Sequence, residues 1–278
     1  MMGELVSFIV TNYNHADYLP QRLDSLLHQT YKDTEIIIVD DCSTDHSRSV
    51  YDSYGSYPNI RFKLLEKNQY YANASNIGAE LSRGKYIMFA EADDFSEPGQ
   101  IEILLQTLQE NKTTGVAYSR SNLVDTHGKI FGSDFDSREK LFRDFCSGDV
   151  LIPRDMMQKF LLMACVVPNM SAALIEKKYF QIAGGFDPRY KSCADWDFWG
   201  RIAEHCDFYY IAQPLNNFRR HPATLDYSFG YHTQPLEIFD ILYKRSSGIH
   251  LSYLERVKFR TAIGAAWSMR ITQHPLRW

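Results

Sequence analysis

An α/β fold, with a mostly parallel mixed sheet flanked by helices and a C-terminal helical extension, is what the sequence predicts, and three observations predict it. Apolar runs too short for helices recur at residues 5–10, 35–39, 60–65 and 86–90, which suits buried strands. Segments of helical character lie between them, so the connections suit right-handed crossovers between parallel strands. Two of the runs also stop on acid: Asp40-Asp41 follow the second, and Glu91, Asp93 and Asp94 follow the fourth. In an open sheet, ligands sit in crevices at the carboxyl ends of the strands, so acid at that rim points to a site.

The elements follow in order. The first strand, residues 5–10, runs into the polar loop Thr11-Asn12-Tyr13-Asn14-His15. A helix comes next, with Asp17 as its expected cap and Leu19, Leu23, Leu26 and Leu27 on one face. The second strand ends in Asp40-Asp41-Cys42-Ser43-Thr44-Asp45, a polar turn with cap residues for the following helix. Residues 60–65 give a third strand, 70–82 a helix closed by Gly84, and 86–90 the fourth strand. Ser96 and Pro98 are the expected start of a helix over 98–110.

A strand is expected at 115–119, and a hairpin around His127-Gly128 adds antiparallel strands over 122–131. From 133 to 167 the pattern weakens, and an irregular segment suited to a mobile loop over a site is expected. Strand character returns at 169–175. After the turn Gly184-Gly185-Phe186-Asp187-Pro188, residues 195–205 read as a helix with Asp195, Trp196 and Asp197 in its first turn. A short strand at 208–211 precedes Asn217-Phe218-Arg219-Arg220-His221-Pro222. Residues 235–246 and 251–272 are expected to form two amphipathic basic helices. The division is a main domain over 1–225 and a helical extension over 226–278.

The chain has 278 residues, 45% hydrophobic and 23% charged, enough for a sizeable core and unlike a disordered segment. Five cysteines without a Cys-x-x-Cys pair indicate neither a disulfide framework nor a zinc ribbon, and a reducing cytosol fits them. No basic leader with a long apolar stretch opens the chain, and no run approaches the roughly 20 residues that span a bilayer. The net charge is −4, yet residues from 241 onward carry seven Lys or Arg against one acid. A net acidic chain is not expected to bind nucleic acid. Its basic tail is read as a packed lobe with a solvated face or a contact to another subunit or domain, with docking on an anionic membrane as the alternative.

Closely spaced carboxylates repel one another, so Glu91, Asp93 and Asp94 either hold a cation or serve the turn and the helix after it. Asp195 and Asp197 likewise read as acids favoured at a helix N-terminus, or as chemistry. Trp196 and Trp199, beside these acids, line a site or belong to the core. No Gly-x-Gly-x-x-Gly follows the first strand and no Gly-x-x-x-x-Gly-Lys-Ser/Thr loop is present, which argues against ordinary dinucleotide or P-loop binding.

Taken together, Val-Ser-Phe-Ile-Val-Thr-Asn-Tyr-Asn, Ile-Ile-Ile-Val-Asp-Asp-Cys-Ser-Thr-Asp, Asn76-Ile77-Gly78, Glu91-Ala92-Asp93-Asp94, Gly-Gly-Phe-Asp-Pro and Ala194-Asp195-Trp196-Asp197 resemble the family 2 inverting glycosyltransferases of the GT-A fold. The resemblance runs from about Leu5 to His221. It implies a nucleoside diphosphate sugar donor, UDP-linked, and a glycan or lipid-linked acceptor, as in bacterial surface polysaccharide synthesis. It places Thr11, Tyr13, Asp41, Asn76, Glu91 and Arg220 at the nucleotide, and Asp93, with Glu91 and His221, at Mn²⁺ or Mg²⁺. Asp195 falls at the family's catalytic base. Glu91 stands where the family usually has its first Asp. A cytoplasmic enzyme is the expected setting, with peripheral contact at the inner face of the membrane as the alternative. A non-catalytic nucleotide- or glycan-binding module and a sugar nucleotidyltransferase are the rival readings.

Overall fold

The computed structural model describes residues 3–138, 140–167, 169–221 and 230–246, and in the tail residues 249, 251–253, 255–257, 259–261, 263 and 264. The sheet begins as the alternation of strands and helices dictates. β1 (Val6–Asn12) pairs in parallel with β2 (Thr34–Asp40) on one side and β4 (Tyr86–Phe89) on the other, and β3 (Ile60–Leu64) extends it beyond β2. Ile9 lies opposite both Ile37 and Phe89. Side chains alternate between the two faces of a strand, and here both faces are covered. Val6, Phe8 and Val10 enter one core cluster with Leu19, Leu23 and Leu26 of α1 (Leu19–Leu27) and with Ile101 and Leu104 of α4 (Gln100–Glu110), while Ile9 enters the other. Helix α2 (Ser47–Tyr54) follows β2, and α3 (Tyr70–Leu81) lies against β1 and β2. The approach of α3 is close: a Cβ on Gly78 would come within 2.3 Å of an Ile9 methyl.

Beyond β4 the sheet is mixed. β9 (Ala173–Glu176) runs antiparallel to β4 and to β6 (Thr114–Val124), so β6 regains the direction of β4. β10 (Asp207–Arg219) pairs in parallel with β6. Its carboxyl end therefore reaches the same rim as the ends of β1, β2 and β4. Three short strands, β5 (Phe95–Ser96), β7 (Ile130–Ser133) and β8 (Val150–Ile152), add antiparallel edges.

The second core cluster gathers Phe89, Phe180, Phe186, Phe198 and Trp199 with Phe142, Met157 and Phe160. The last three come from α5 (Lys140–Phe145) and α6 (Arg154–Met163), so the segment expected to be an irregular mobile loop is instead two packed helices and a strand. Inside it, Arg138 and Asp134 form a buried ion pair at 2.6 Å. α7 (Lys177–Ile182) and α8 (Ala194–Ile202) complete the layer. α9 (Gly230–Ser246) contributes Ile241 to this same cluster, and its Leu242 packs on Leu162 of α6. Half of the helix expected over 251–272 lies outside the described residues.

Other expectations shift for local reasons. Asp17 does not cap α1, which opens at Tyr18; it faces His46 at 3.4 Å. Ser96 is a buried β5 residue that accepts from Arg22, and α4 starts at Gly99 without a side-chain cap. The strand and hairpin at 115–131 merge into one eleven-residue strand with β7 folded back on it. The strand expected at 169–175 begins at Ala173, after a 3₁₀ turn over Met170–Ala172. All five cysteines are free thiols. No helix among the described residues is long and apolar enough to cross a membrane.

Candidate functional site

The rim above β1, β2, β4 and β10 is organised first by side chains that hold loops in place. Asn12, at the end of β1, is buried and donates to Asp40, Ser47 and the Tyr51 hydroxyl. Asp40 also accepts from the Tyr51 hydroxyl and from the Ser43 amide. Asn14 adopts a left-handed φ of 60°, and its side-chain oxygen accepts from the amides of Thr44 and Asp45 at 2.7 and 3.2 Å. The loops after β1 and β2 are thereby one unit. Tyr13 stands out of it, 45% exposed, beside half-buried Thr11. A large exposed ring on a fixed loop is a ready stacking platform. Asp41 is buried and accepts from the Gln69 amide at 2.6 Å, so it ties down the start of α3 rather than capping α2. Burial raises its carboxyl above the usual value, and the Gln69 and Tyr70 amides pull against that rise.

Below this unit, the turn after β4 is braced by two buried arginines. Arg22 projects from the apolar face of α1, donates to the Glu91 carbonyl at 2.8 Å and to Ser96 at 2.9 Å, and lies 4.0 Å from Asp94. Arg219, at the end of β10, donates to the carbonyls of Asp93, Asp125 and Thr126 and to Gln21. Its own amide donates to Asp94 at 2.9 Å, and Asn169 donates to the same carboxylate at 2.7 Å. Asp94 is enclosed by these donors, yet burial and the charge of Asp93 push its pKa up to about 6.

Glu91 shares Asn169 with Asp94, whereas Asp93 has partners of its own. Glu91 accepts from Asn169 at 3.2 Å, and burial together with the charges of Asp94, Asp93 and Asp195 raises its carboxyl well above the usual range. Asp93 goes down instead. Burial alone would raise it, but the hydrogen bond with His221 and the nearby imidazoles of His15 and His221 outweigh that. His221 Nε2 lies 2.9 Å from Asp93 Oδ2, and the His15 and His221 rings meet edge to face with centroids 5.6 Å apart. Among the described residues, one ligand atom from each of His15, Asp93 and His221 lies within 4.8 Å of the others. Two imidazoles and a carboxylate at such separations fit a single divalent ion.

Asp195 sits in the first turn of α8, half-buried, and its Oδ1 accepts from the Trp196 amide at 2.8 Å. Its charge adds to the rise of the Tyr71 hydroxyl and the Glu91 carboxyl above their usual values. The two tryptophans divide. Trp199 is core, whereas Trp196 is half-buried and donates from its indole to the Leu161 carbonyl at 2.8 Å.

Two sequence expectations need correcting. Asn76 is not free for a nucleotide: its side chain donates to the Phe186 carbonyl and accepts from the Phe186 amide, both at 2.9 Å. It clamps the Gly-Gly-Phe turn, where Gly185 has φ of +69° and a Cβ would come 2.7 Å from the Asn76 oxygen. Glu91 is not one of the three clustered metal-ligand groups; its carboxyl turns to Asn169. Arg220 is exposed at the rim with its amide donating to the Val124 carbonyl, and the neighbouring Arg219 does the buried work expected of neither. Sequence reasoning misses His15, Arg22, Arg219 and Asn169. His15 shares the polar loop with Tyr13, which is the available signal; the other three carry none outside their packing.

Comparison with known proteins bears on the family and the fold. The family model described as Glycosyl transferase family 2 matches residues 7–147. The chain is 34% identical to the chondroitin synthase of Escherichia coli over 142 residues, which is 49% of this chain and 21% of that protein. It is 31% identical to the glycosyltransferase GlyG of Streptococcus pneumoniae serotype 4 over 185 residues, 64% of this chain and 59% of that one. The chain thus spans about a fifth of the first relative and about three fifths of the second. Its fold is shared with residues 1–349 of S. aureus TarS, solved in complex with UDP-GlcNAc, at a TM-score of 0.70 and 16% identity, covering 96% of this chain and 72% of that one. The matched family model and the fold together show that the chain belongs to glycosyl transferase family 2.

Proposed function

We propose that the chain transfers a sugar, with inversion, from a UDP-sugar to a hydroxyl of a glycan or lipid-linked acceptor, as in the building of bacterial surface polysaccharide. The observation that carries this reading is the cluster of His15, Asp93 and His221 at the carboxyl ends of the strands, with exposed Tyr13 on the same loop as His15. Family membership supports the reaction class, and the UDP and UDP-GlcNAc complexes of TarS support UDP as the nucleotide.

In this reading Tyr13 stacks on the base, Thr11 meets the ribose, and Asp41 accepts from the base with the carboxylate capacity that Gln69 leaves. Arg220, exposed at the end of β10, meets the diphosphate. His15, Asp93 and His221 would hold Mn²⁺ or Mg²⁺, and two nitrogen donors favour Mn²⁺, since Mg²⁺ prefers oxygen. When bound, the ion offsets the charge that develops on the departing diphosphate. Asp195 takes the proton from the acceptor hydroxyl as its oxygen bonds to the anomeric carbon and the bond to the diphosphate breaks. A base placed in this way contributes roughly 10² to 10⁴ in rate.

The test is UDP release from a panel of UDP-sugars with Mn²⁺, alongside calorimetry of UDP binding. Asp195→Asn is expected to lower turnover roughly 10²-fold or more and to leave UDP affinity within a few fold. Pyrophosphate release when UTP and a sugar 1-phosphate replace the UDP-sugar would instead mark a nucleotidyltransferase, and UDP binding without turnover a binding module.

A further inference from the structure

We propose that Glu237, on α9 of the C-terminal extension, is a positioning residue for Asp195, so that the extension completes the catalytic geometry. This rests on the reading of Asp195 as base. Cys193, the N-cap of α8, makes no side-chain cap hydrogen bond to the helix. The acceptor comes from another element. Glu237 Oε1 accepts from the Lys191 amide, and Oε2 accepts from the amides of Ser192 and Cys193, each at 2.9 Å. Three consecutive amides are thus gathered by one carboxylate two residues before Asp195. A carboxylate at a helix N-terminus also faces the positive end of the helix dipole, and charge-assisted bonds of this kind are stronger than neutral ones.

Helix α9 is itself fixed against α8 by contacts that do not involve Glu237. Tyr190 donates to Asp240 at 2.5 Å, and Arg245 reaches Glu204 at 3.0 Å and the Asp197 carbonyl at 3.3 Å. Ile241 and Leu242 are buried on the same helix. Glu237 therefore acts from a rigid platform, and loosening its grip moves the first turn of α8 without unpacking α9. Proton transfer needs heavy atoms within hydrogen-bond reach, and a displacement of about 1 Å costs roughly 10²-fold.

The experiment compares Glu237→Gln, which keeps shape but loses charge, with Glu237→Asp, which keeps charge. Mn²⁺-dependent UDP release from UDP-GlcNAc, with water as acceptor, and amide hydrogen exchange at residues 191–193 are the two readouts. Glu237→Gln is expected to lower kcat roughly 10- to 100-fold with KM for UDP-GlcNAc changed less than about threefold, and to speed exchange of those amides roughly 10-fold. Glu237→Asp should recover part of both. In an Asp195→Asn background, Glu237→Gln should change kcat less than about twofold, because the two act as one unit. Unchanged kcat in Glu237→Gln, or the same loss with Asp195 already replaced, overturns the proposal. Full turnover in Asp195→Asn alone would overturn the base reading instead, and is distinguishable because Glu237 is then intact.

Discussion

Asp93 and Asp94 are neighbours in sequence, yet they belong to two different regions of the turn after β4. Behind the turn, Asp94 is met by the Arg219 amide, Asn169 and, at longer range, Arg22. In front, Asp93 is met by imidazoles, with His221 at 2.9 Å and His15 beside it. The partners behind are a backbone amide, a carboxamide and a guanidinium, which can only donate there. Imidazole can also present a lone pair, so the same contact can give way to a shared ion. A buried carboxylate held by fixed donors is consumed by the fold; one held by imidazoles remains available for chemistry.

Three substitutions would sharpen or break this contrast. The largest effect on stability is expected behind the turn. Arg219→Met leaves the carbonyls of Asp93, Asp125 and Thr126 without their donor and removes a buried positive charge from beside the acids. Breaking a buried charged network of this kind typically costs about 3–5 kcal/mol. A fall of roughly 10 °C in Tm is expected by calorimetry. A Tm within a degree or two of the parent would show that the back of the turn is not structural.

Asp93→Asn should do the reverse. Mn²⁺ affinity, followed by electron paramagnetic resonance, and UDP release are each expected to fall roughly 10²- to 10³-fold, about 3–4 kcal/mol, while Tm moves by only a few degrees. Loss of stability with metal affinity intact would place Asp93 with Asp94.

The smallest effect belongs to Glu35, a buried carboxylate away from this turn, which serves as the control. Burial would raise its pKa, but hydrogen bonds from Ser7 and the Arg83 amide and side chain, with the charge of Arg61, bring it below the usual value. A lowered carboxylate pKa stabilises the fold above the unfolded value and loses that contribution as pH falls through the folded one. Both arginines are well exposed, so screening keeps the ion-pair share small, and Glu35→Gln is expected to cost about 1 kcal/mol near pH 7. Denaturant midpoints of parent and variant should converge below about pH 4. A constant gap down to about pH 3 would contradict this.

Much of the fold was legible because the first half of the sheet is regular. Strands buried on both faces read as continuous apolar runs, and β1, β2 and β4 have in-register partners throughout. The second half resisted for identifiable reasons. β10 carries register shifts around Ile211, Pro214 and Asn216, so its thirteen residues show no steady alternation. α5 spans six residues and β8 three, too short for either period to show. In the site, Asp93, Asp195 and His221 stood in recognisable motifs. Arg219 and Arg220 could not be told apart, since which of the two points inward depends on the pairing of β10 with β6 and on the turn beneath it.

Sequence by itself determined which strands are buried, that acid follows them, and which family motifs the chain carries, because burial and local motif are written in residue type and spacing. Only the tertiary structure decided the assignment of each polar group. His15 joins Asp93 and His221, Asn76 closes on Phe186, and Glu237 reaches the approach to α8 across more than forty residues. The reason is physical: a side chain's partners and its protonation depend on what other segments bring within about 3 Å, and that distance is a property of packing rather than of any local stretch of chain.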